Sequence, residues 1–331
     1  MSKVTPEDPR TPSDDATTAA PPSDDAPTTA PAADAIKGRS PWELSWRRLR
    51  KDKVAMISLG VIVLVLLLAI IAPLIAHWTG HGPNTQYRDS GALDENGLPV
   101  GPNSRFLFGT DPLGRDVLVR TVYGARISLL VGVTATLLTV ALGVTVGLLA
   151  GYFGGWIDTI LARFIDVVLA VPFIVVAVAL VSVFSPSLMI AILVIGFFSW
   201  ASVARVVRGQ VLSLKEREFV EAARSLGASD RRIMFIDILP NVMATVIIYT
   251  SLLVPVVILT QAALSYLGLG LQPPTPDWGG MISDAQGVYQ QAWWYLFFPS
   301  AALVITTLAF NLLGDGVRDA LDPRMSRLLQ K

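Results

Sequence analysis

The chain lacks cysteine and is poor in charged residues. Its 331 residues include no cysteine and only two histidines, His77 and His81, and 16% of them are charged while 52% are hydrophobic. The absence of cysteine excludes disulfides and thiolate zinc sites. Soluble domains carry about 25% charged residues, so this composition indicates a protein that resides in a lipid bilayer. The net charge is zero, which gives no indication of a nucleic-acid partner.

The sequence also lacks the motifs of several enzyme classes. No G-x-x-x-x-G-K-[ST], H-E-x-x-H or G-x-S-x-G pattern occurs, which argues against an ATPase, a zinc protease and a serine hydrolase. His77 and His81 have helical spacing, but no acidic residue or cysteine stands near them in sequence. We therefore predict no catalytic residue, no metal site and no cofactor in this chain.

Long apolar runs are the main feature that is present. A membrane-spanning helix needs about 20 apolar residues, and six runs approach or exceed that length. We predict an all-α integral membrane protein with six transmembrane helices, at Ala55–Ala76, Ile127–Ala150, Ile160–Phe184, Leu188–Ala204, Met243–Leu267 and Tyr295–Leu313.

None of these six runs has an ionisable residue near its centre. Arg163 and Asp166 lie three residues apart near one end of the third run, where they are predicted to pair on one helix face. Carriers driven by a proton gradient usually place acids or histidines within the membrane. The energy for any transport is therefore expected to come from another protein.

Basic residues predict the orientation, because short cytoplasmic loops are enriched in Lys and Arg. Seven basic residues between positions 37 and 53 directly precede the first run, and seven more lie between the fourth and fifth runs. The loop between the fifth and sixth runs has none, so both termini and residues 205–241 are predicted to be cytoplasmic. The long first outer loop is an exception, since it carries five arginines: Arg88, Arg105, Arg115, Arg120 and Arg126.

The domain organisation follows from these runs. Residues 1–36 are rich in Pro, Ala, Thr and Asp and are predicted to be a disordered cytoplasmic tail. A basic juxtamembrane segment (37–54), the first transmembrane helix (55–77), an extracytoplasmic loop (78–126), a core domain (127–313) and a cytoplasmic tail (314–331) follow. The loop is predicted to hold an interfacial helix that starts near Pro112 and is capped by Thr110 or Asp111.

The polar stretch 205–241 is predicted to be a helical hairpin. Ser213 and Glu216 have the spacing of a capping box, and Gly227 suits a left-handed stop. Ser229 and Asp230 are suited to begin a second helix, which Pro240 is predicted to limit. The apolar faces of the two helices are predicted to be Phe219, Ala222, Ala223 and Leu226 on the first, and Ile233, Ile236 and Leu239 on the second.

This hairpin resembles a known family. The pattern E-A-A-x-x-x-G at 221–227, followed by Leu239-Pro240, resembles the cytoplasmic EAA loop of the permeases of bacterial ATP-binding-cassette (ABC) importers. The resemblance implies the type I importer permease fold. It also implies that the loop contacts an ATPase subunit through Glu221, Ala222, Ala223, Leu226, Gly227, Leu239 and Pro240.

Two further segments resemble the dipeptide/oligopeptide/nickel branch of that family, and in particular its C-type subunit. They are Gly109–Asp116, with Arg120 and Gly124–Leu129, and Leu264–Gly279. In the second segment, glycines and prolines are predicted to break the fifth helix at its outer end. Such a rigid outer loop suits an outer gate or a contact with a solute-binding protein, through Gly268, Gly270, Pro273, Pro274, Asp277 and Trp278. The alternative is a plain turn.

The resemblance implies a function and a set of partners. The chain would be a multi-pass permease in the bacterial cytoplasmic membrane that translocates short peptides, nickel or another small solute by alternating access. Its partners would be a homologous second permease, two subunits that bind ATP and Mg²⁺, an extracytoplasmic solute-binding protein and membrane lipid. The alternatives are a self-sufficient secondary carrier and, less favoured, a membrane enzyme.

Overall fold

The structure is a computed structural model that describes residues 41–184 and 186–321. The predicted N-terminal tail (1–36) and the end of the predicted C-terminal tail lie outside these residues. Within them the chain is helical, with ten main helices. They are α1 (Pro41–Lys51), α2 (Lys53–Thr79), α3 (Val117–Phe153), α4 (Gly155–Ala170), α5 (Phe173–Val183), α6 (Leu188–Leu214), α7 (Glu218–Ser225), α8 (Asp230–Tyr266), α9 (Trp278–Ala285) and α10 (Trp293–Leu321).

Five of the described helices are long and apolar enough to cross a membrane. They are α2, α3, α6, α8 and α10, and the bent pair α4–α5 makes a sixth crossing if it counts as one span. The lipid-facing character of α2 is clear from its exposed side chains, since Ile57, Ile70 and Leu74 are each more than 60% exposed. Apolar surface of this extent requires an apolar solvent. The prediction of an all-α membrane protein is confirmed.

The third predicted span, Ile160–Phe184, is wrong as a single straight helix. The chain bends by 81° between α4 and α5, at Val171-Pro172. Proline has no backbone N–H and disfavours a helical residue before it, so α4 ends at Ala170 and α5 starts after Pro172. Pro172 was visible in the sequence, but the residues on both sides of it are apolar, so hydropathy alone predicted one continuous span.

The first outer loop also differs from the prediction. Neither Thr110 nor Asp111 caps a helix near Pro112. The helix begins instead at Val117, where Asp116 accepts hydrogen bonds from the backbone N–H groups of Leu118 and Val119 at 2.8 and 3.2 Å. This helix is the start of α3 and continues without a break into the second span. At 1.5 Å per residue, the 37 residues of α3 measure about 55 Å, which exceeds the ~30 Å hydrocarbon core.

The most extensive helix pair in the described fold is α3 and α6. Three glycines of α3, spaced four residues apart, face the backbone of α6 at Trp200, Ala204 and Arg208. These glycines are Gly143, Gly147 and Gly151. A Cβ atom on Gly147 would lie 2.7 Å from the carbonyl oxygen of Ala204. The absence of side chains therefore lets the two helices approach closely, as small residues do in membrane helix pairs.

Candidate functional site

The predicted hairpin exists, with altered boundaries. Helix α6 continues to Leu214, α7 is the first hairpin helix, and α8 begins at Asp230. The capping box of Ser213 and Glu216 is wrong, because Ser213 lies inside α6 and its hydroxyl donates to the carbonyl oxygen of Gly209 at 3.3 Å. Within the residues described, α7 starts after Arg217 with no side-chain cap.

The glycine turn of the hairpin is confirmed. Gly227 has φ of +78°, and the preceding carbonyls are satisfied by the turn. The backbone N–H groups of Leu226, Gly227 and Ala228 donate to the carbonyls of Ala222, Arg224 and Ala223 at 3.0, 2.9 and 3.0 Å. Glycine adopts this left-handed conformation at no steric cost, so it ends α7 and reverses the chain.

The two faces of α7 differ from the predicted apolar stripe. Val220 is fully buried and Ala223 is half-buried, and both pack into a cluster with Val211, Ile233 and Ile238. Phe219, Ala222 and Leu226 point outward together with Glu221, and Leu226 is 88% exposed. Of the four residues predicted to form one apolar face, only Ala223 faces the core. Val220 and Ala223 are three residues apart on the same side of the helix, and this side is the one that packs inward. The outward side chains Phe219, Glu221, Ala222 and Leu226 are called the α7 outer face below.

Polar contacts fix the hairpin to the membrane helices. The hydroxyl of Tyr152, at the end of α3, donates to Asp230 at 2.6 Å, and the guanidinium of Arg224 lies 5.9 Å from the Tyr152 ring. Arg208 of α6 makes a two-pronged ion pair with Asp158 of α4, whose longer contact is 2.8 Å. These contacts join α7 and the start of α8 to the end of α3, and α6 to α4.

The Arg163–Asp166 pair is weaker than expected. Their closest charged atoms are 3.9 Å apart, whereas Arg205 of α6 reaches Asp166 at 2.8 Å. A contact between helices, which spacing along one helix does not reveal, satisfies Asp166.

Pro240 does not end the second hairpin helix. The segment Ile233–Ile238 forms a π-helical turn, in which the backbone N–H of Leu239 donates to Met234 five residues earlier, and the helix then continues to Tyr266. A wider turn before a proline accommodates its missing N–H. The buried residues are Ile233, Met234 and Ile238, while Ile236 is 60% exposed. The stripe predicted at 233, 236 and 239 assumed an α-helical period that the π turn interrupts.

On the other side of the protein, α8 ends in the predicted broken loop. Gly268 has φ of +79°, and the backbone N–H of Leu269 donates to Leu264 at 2.9 Å. A Cβ atom on Gly270 would lie 2.5 Å from the Cα of Ser265, so the loop can fold back on α8 only with glycine there. The loop 267–277 thus turns sharply over the end of α8.

The six residues predicted for a gate or binding-protein contact fall into two groups. Gly268, Pro273 and Pro274 are exposed, whereas Gly270, Asp277 and Trp278 are buried. Trp278 donates its indole N–H to the carbonyl oxygen of Thr121 at 2.9 Å. Only the exposed group can touch another protein directly; the buried group positions the loop against α3.

Asp277 caps α9 from a buried position. Its carboxylate accepts from the backbone N–H of Gly280 at 3.1 Å and from the side-chain amide of Gln261 at 3.2 Å. Burial raises the pKa of Asp277 above the ordinary 3.8, and the hydrogen bonds from Gly280, Ser265 and Gln261 offset only part of that effect.

We expect Asp277→Asn to stabilise the purified chain relative to wild type as pH rises. A folded-state pKa above the unfolded value means that the stability from Asp277 is complete below about pH 4 and is lost as pH rises through the raised pKa. Asparagine keeps the cap without a charge to bury. Asp277→Ala, which also removes the cap, should be about 1 kcal/mol less stable than Asp277→Asn at all pH values. Thermal unfolding of the three proteins in detergent from pH 4 to 8 checks this, and a constant difference between wild type and Asp277→Asn would contradict it.

Sequence reasoning missed a buried polar cluster in the first outer loop. Asp111 accepts from Arg115 at 2.5 Å and lies 3.6 Å from Arg120, and His81 contacts Asp116 at 2.6 Å. His81 therefore has an acidic partner in space, contrary to the expectation from sequence, because the two residues are 35 positions apart. Among residues 41–184 and 186–321, no group of three or more His, Cys, Asp or Glu side chains is arranged to hold a metal ion.

The spans, the short amphipathic hairpin helix and the folded loop between α2 and α3 define a multi-pass helical membrane protein with a short exposed helix at one end. The chain belongs to the family of binding-protein-dependent transport system inner membrane components, which matches residues 143–327, more than half of its length. Residues 40–94 also match the N-terminal transmembrane domain of oligopeptide transport permease C. It is therefore an inner-membrane permease subunit of an ABC importer, and ATP hydrolysis in such importers is carried out by separate subunits.

Similar proteins agree along nearly the whole chain. The dipeptide transport system permease protein DppC of Alkalihalophilus pseudofirmus is 41% identical over 88% of this chain and 93% of its own. The oligopeptide transport system permease protein OppC of Bacillus subtilis is 40% identical over 88% of this chain and 92% of its own. The glutathione transport system permease protein GsiD of Pectobacterium atrosepticum is 41% identical over 87% and 92%.

A solved structure shows the same fold. The inward-facing MetNI methionine ABC transporter includes a chain that aligns with a TM-score of 0.51 at 18% identity, covering 62% of this chain and 96% of that one. The family match and the sequence relatives favour the ATP-driven importer over the self-sufficient secondary carrier and the membrane enzyme.

Proposed function

We propose that this permease translocates short peptides. The support is homology. Relatives that are about 40% identical to this chain along almost their whole length are described as dipeptide, oligopeptide and glutathione permeases. All three names describe short peptides. Nickel or another small solute is the second candidate, and it rests only on the branch of the family that the outer loop resembles.

The proposed complex contains a homologous second permease, two ATPase subunits that bind ATP and Mg²⁺, and an extracytoplasmic solute-binding protein. The observation that supports the ATPase contact is the α7 outer face. Leu226 is 88% exposed at the tip of a hairpin whose other side is anchored by buried Val220. A large apolar side chain held rigidly in that position is typical of a surface that a partner covers.

The proposed mechanism is alternating access. When ATP closes the pair of ATPase subunits, the α7 helices of the two permeases move with them. Because Tyr152 and Asp230 join α7's turn to α3, and Arg208 joins α6 to α4, the membrane helices follow the hairpin as a unit. The central cavity then opens on the other side of the membrane. The exposed loop residues Gly268, Pro273 and Pro274 are proposed to meet the solute-binding protein or to form the outer gate.

The proposed orientation places both termini and the hairpin in the cytoplasm. Two of the five outer-loop arginines, Arg115 and Arg120, do not count against it, because they are buried with Asp111 in the folded loop. Such residues are part of a folded unit and do not act as the free charges of a short loop.

Single cysteines in this cysteine-free chain should report the orientation. Glu95→Cys, in the outer loop, should react with an impermeant thiol reagent in intact cells, and Glu216→Cys, between α6 and α7, should react only after permeabilisation. Both side chains are exposed and neither belongs to the α7 outer face, so access to the reagent depends on sidedness. Labelling of Glu216→Cys from outside would contradict the coupling proposal, since a hairpin there cannot meet a cytoplasmic ATPase.

The substrate proposal is tested by uptake in cells. Cells that lack this chain should lose uptake of a labelled dipeptide, and restoring the chain should restore it. Nickel uptake measured in the same strains is the matched control. Loss of nickel uptake with peptide uptake unchanged would move the assignment to the second candidate.

A further inference from the structure

A groove between α2 and α3 faces away from the protein core. It has a volume of about 540 Å³, which lies within the ~300–1,000 Å³ typical of small-molecule sites. Leu66 and Ile70 line it from α2, and Leu130 and Val133 line it from α3. These four side chains are 39–69% exposed, so the folded chain alone leaves the groove open.

One end of the groove is polar. Tyr123 and Arg126, one to two turns closer to the start of α3 than Leu130, line that end. The length of α3 puts its first turns outside the hydrocarbon core, so Arg126 lies close to the level of the lipid headgroups. Tyrosine and arginine are both favoured at that level.

Arg126 differs from the other four arginines of this region. Arg115 and Arg120 contact Asp111, Arg88 donates to the carbonyl of Leu113, and Arg105 donates to the carbonyl of Ser90. In the described part of the chain, the guanidinium of Arg126 contacts only the ring of Tyr123, 5.7 Å away. Its five N–H donors are therefore available to an anion, and the planar guanidinium matches a phosphate.

An apolar groove with an unpaired arginine at its headgroup end is chemically complementary to a phospholipid, which has apolar acyl chains and an anionic phosphate. We propose that it binds one phospholipid, whose acyl chain lies against Leu66, Ile70, Leu130 and Val133 and whose phosphate accepts hydrogen bonds from Arg126. The lipid would come from the leaflet at the α3 start, which is the outer leaflet in the orientation proposed above. It would fill the groove between the first spanning helix and α3.

The test is lipid titration of the purified importer complex, followed by native mass spectrometry. Phosphatidylglycerol should bind to the permease in a first, tight step. Arg126→Gln should weaken that step about fivefold, the loss of one basic residue at a membrane surface, whereas Arg126→Lys should keep most of the affinity. Arg105→Gln, an outer-loop arginine outside the groove, is the matched control and should change nothing.

The acyl chain is tested separately. Val133→Trp fills the groove and should abolish the tight step, whereas Leu137→Trp, one turn further along α3 and also exposed, should not. A diacylglycerol with the same chains should bind about fivefold more weakly than phosphatidylglycerol, because it lacks the phosphate.

Three results would overturn the proposal. The first is equal affinity of phosphatidylglycerol for wild type, Arg126→Gln and Val133→Trp. The second is displacement of the lipid by millimolar inorganic phosphate alone, which would make the site an anion site without a chain. The third is a covalent adduct between a photoreactive group on Val133→Cys and another protein in native membranes, which would make the groove a protein interface.

Discussion

Replacing Ala222 by tryptophan is expected to abolish peptide uptake and to uncouple it from ATP turnover. Ala222 lies on the α7 outer face, where its small side chain lets another surface approach closely. An indole there would hold the two surfaces apart, and overpacked contacts are strongly destabilising. Ala223 is a poorer choice for this test, because it packs into the core of the hairpin, and a larger residue there would disturb folding.

The matched control is Ser213→Trp, at an exposed position on the last turn of α6. It adds the same side chain near the hairpin but away from the α7 outer face. Both variants should insert into the membrane at wild-type levels. If Ala222→Trp takes up peptide as well as Ser213→Trp does, α7 is not part of the coupling contact.

Replacing Gly147 by leucine is expected to prevent α3 from packing on α6. A Cβ atom at this position would lie 2.7 Å from the carbonyl oxygen of Ala204 and 2.8 Å from the Cβ of Val207. The backbone of α6 cannot move aside as the end of a flexible side chain can. The free energy of unfolding should therefore fall by about 3 kcal/mol, the upper end for overpacked cores. Thermal stability of the purified chain, measured by loss of the monodisperse peak after heating, reports the effect.

Gly60→Leu is the matched control for this prediction. Gly60 also lies within a spanning helix, α2, but a Cβ atom there would meet nothing within 4 Å. Leucine should therefore be neutral or slightly stabilising at Gly60, since it is a better helix former than glycine. Equal stability of Gly147→Leu and Gly60→Leu would show that α3 and α6 do not touch along this seam.

The sequence predicted the spans well because lipid imposes a simple requirement on them. Apolar length alone located α2, α6, α8 and α10, although each helix extends beyond its apolar run into water. The failure at α4–α5 has a local cause: Pro172 interrupts a run whose hydropathy stays high on both sides. Hydropathy indicates whether a segment lies in lipid or in water, but it does not indicate whether the segment is a straight helix.

The existence of the hairpin and its glycine turn were predicted correctly, but the buried and exposed faces of its helices were not. Gly227 was identifiable because only a glycine adopts its left-handed conformation freely. The inward residues Val220, Met234 and Ile238 were not, because a short helix and a π turn give too few residues for a reliable period. The coupling residues themselves remain a proposal.

Two features show where sequence reasoning stops. The spacing of Gly143, Gly147 and Gly151 is a visible small-xxx-small pattern, which a search for membrane helix contacts would have found. The contact of His81 with Asp116 has no such signal, because a loop of 35 residues brings them together. Contacts that depend on the path of a loop require the three-dimensional structure.

Reconstitution tests the central claim most directly. The complete complex in liposomes, with its solute-binding protein, should accumulate a labelled dipeptide only when ATP is supplied on the side of the hairpin. This chain alone, under an imposed proton gradient and without nucleotide, should accumulate none. Uphill peptide uptake by the chain alone would contradict the account and would make the protein a secondary carrier.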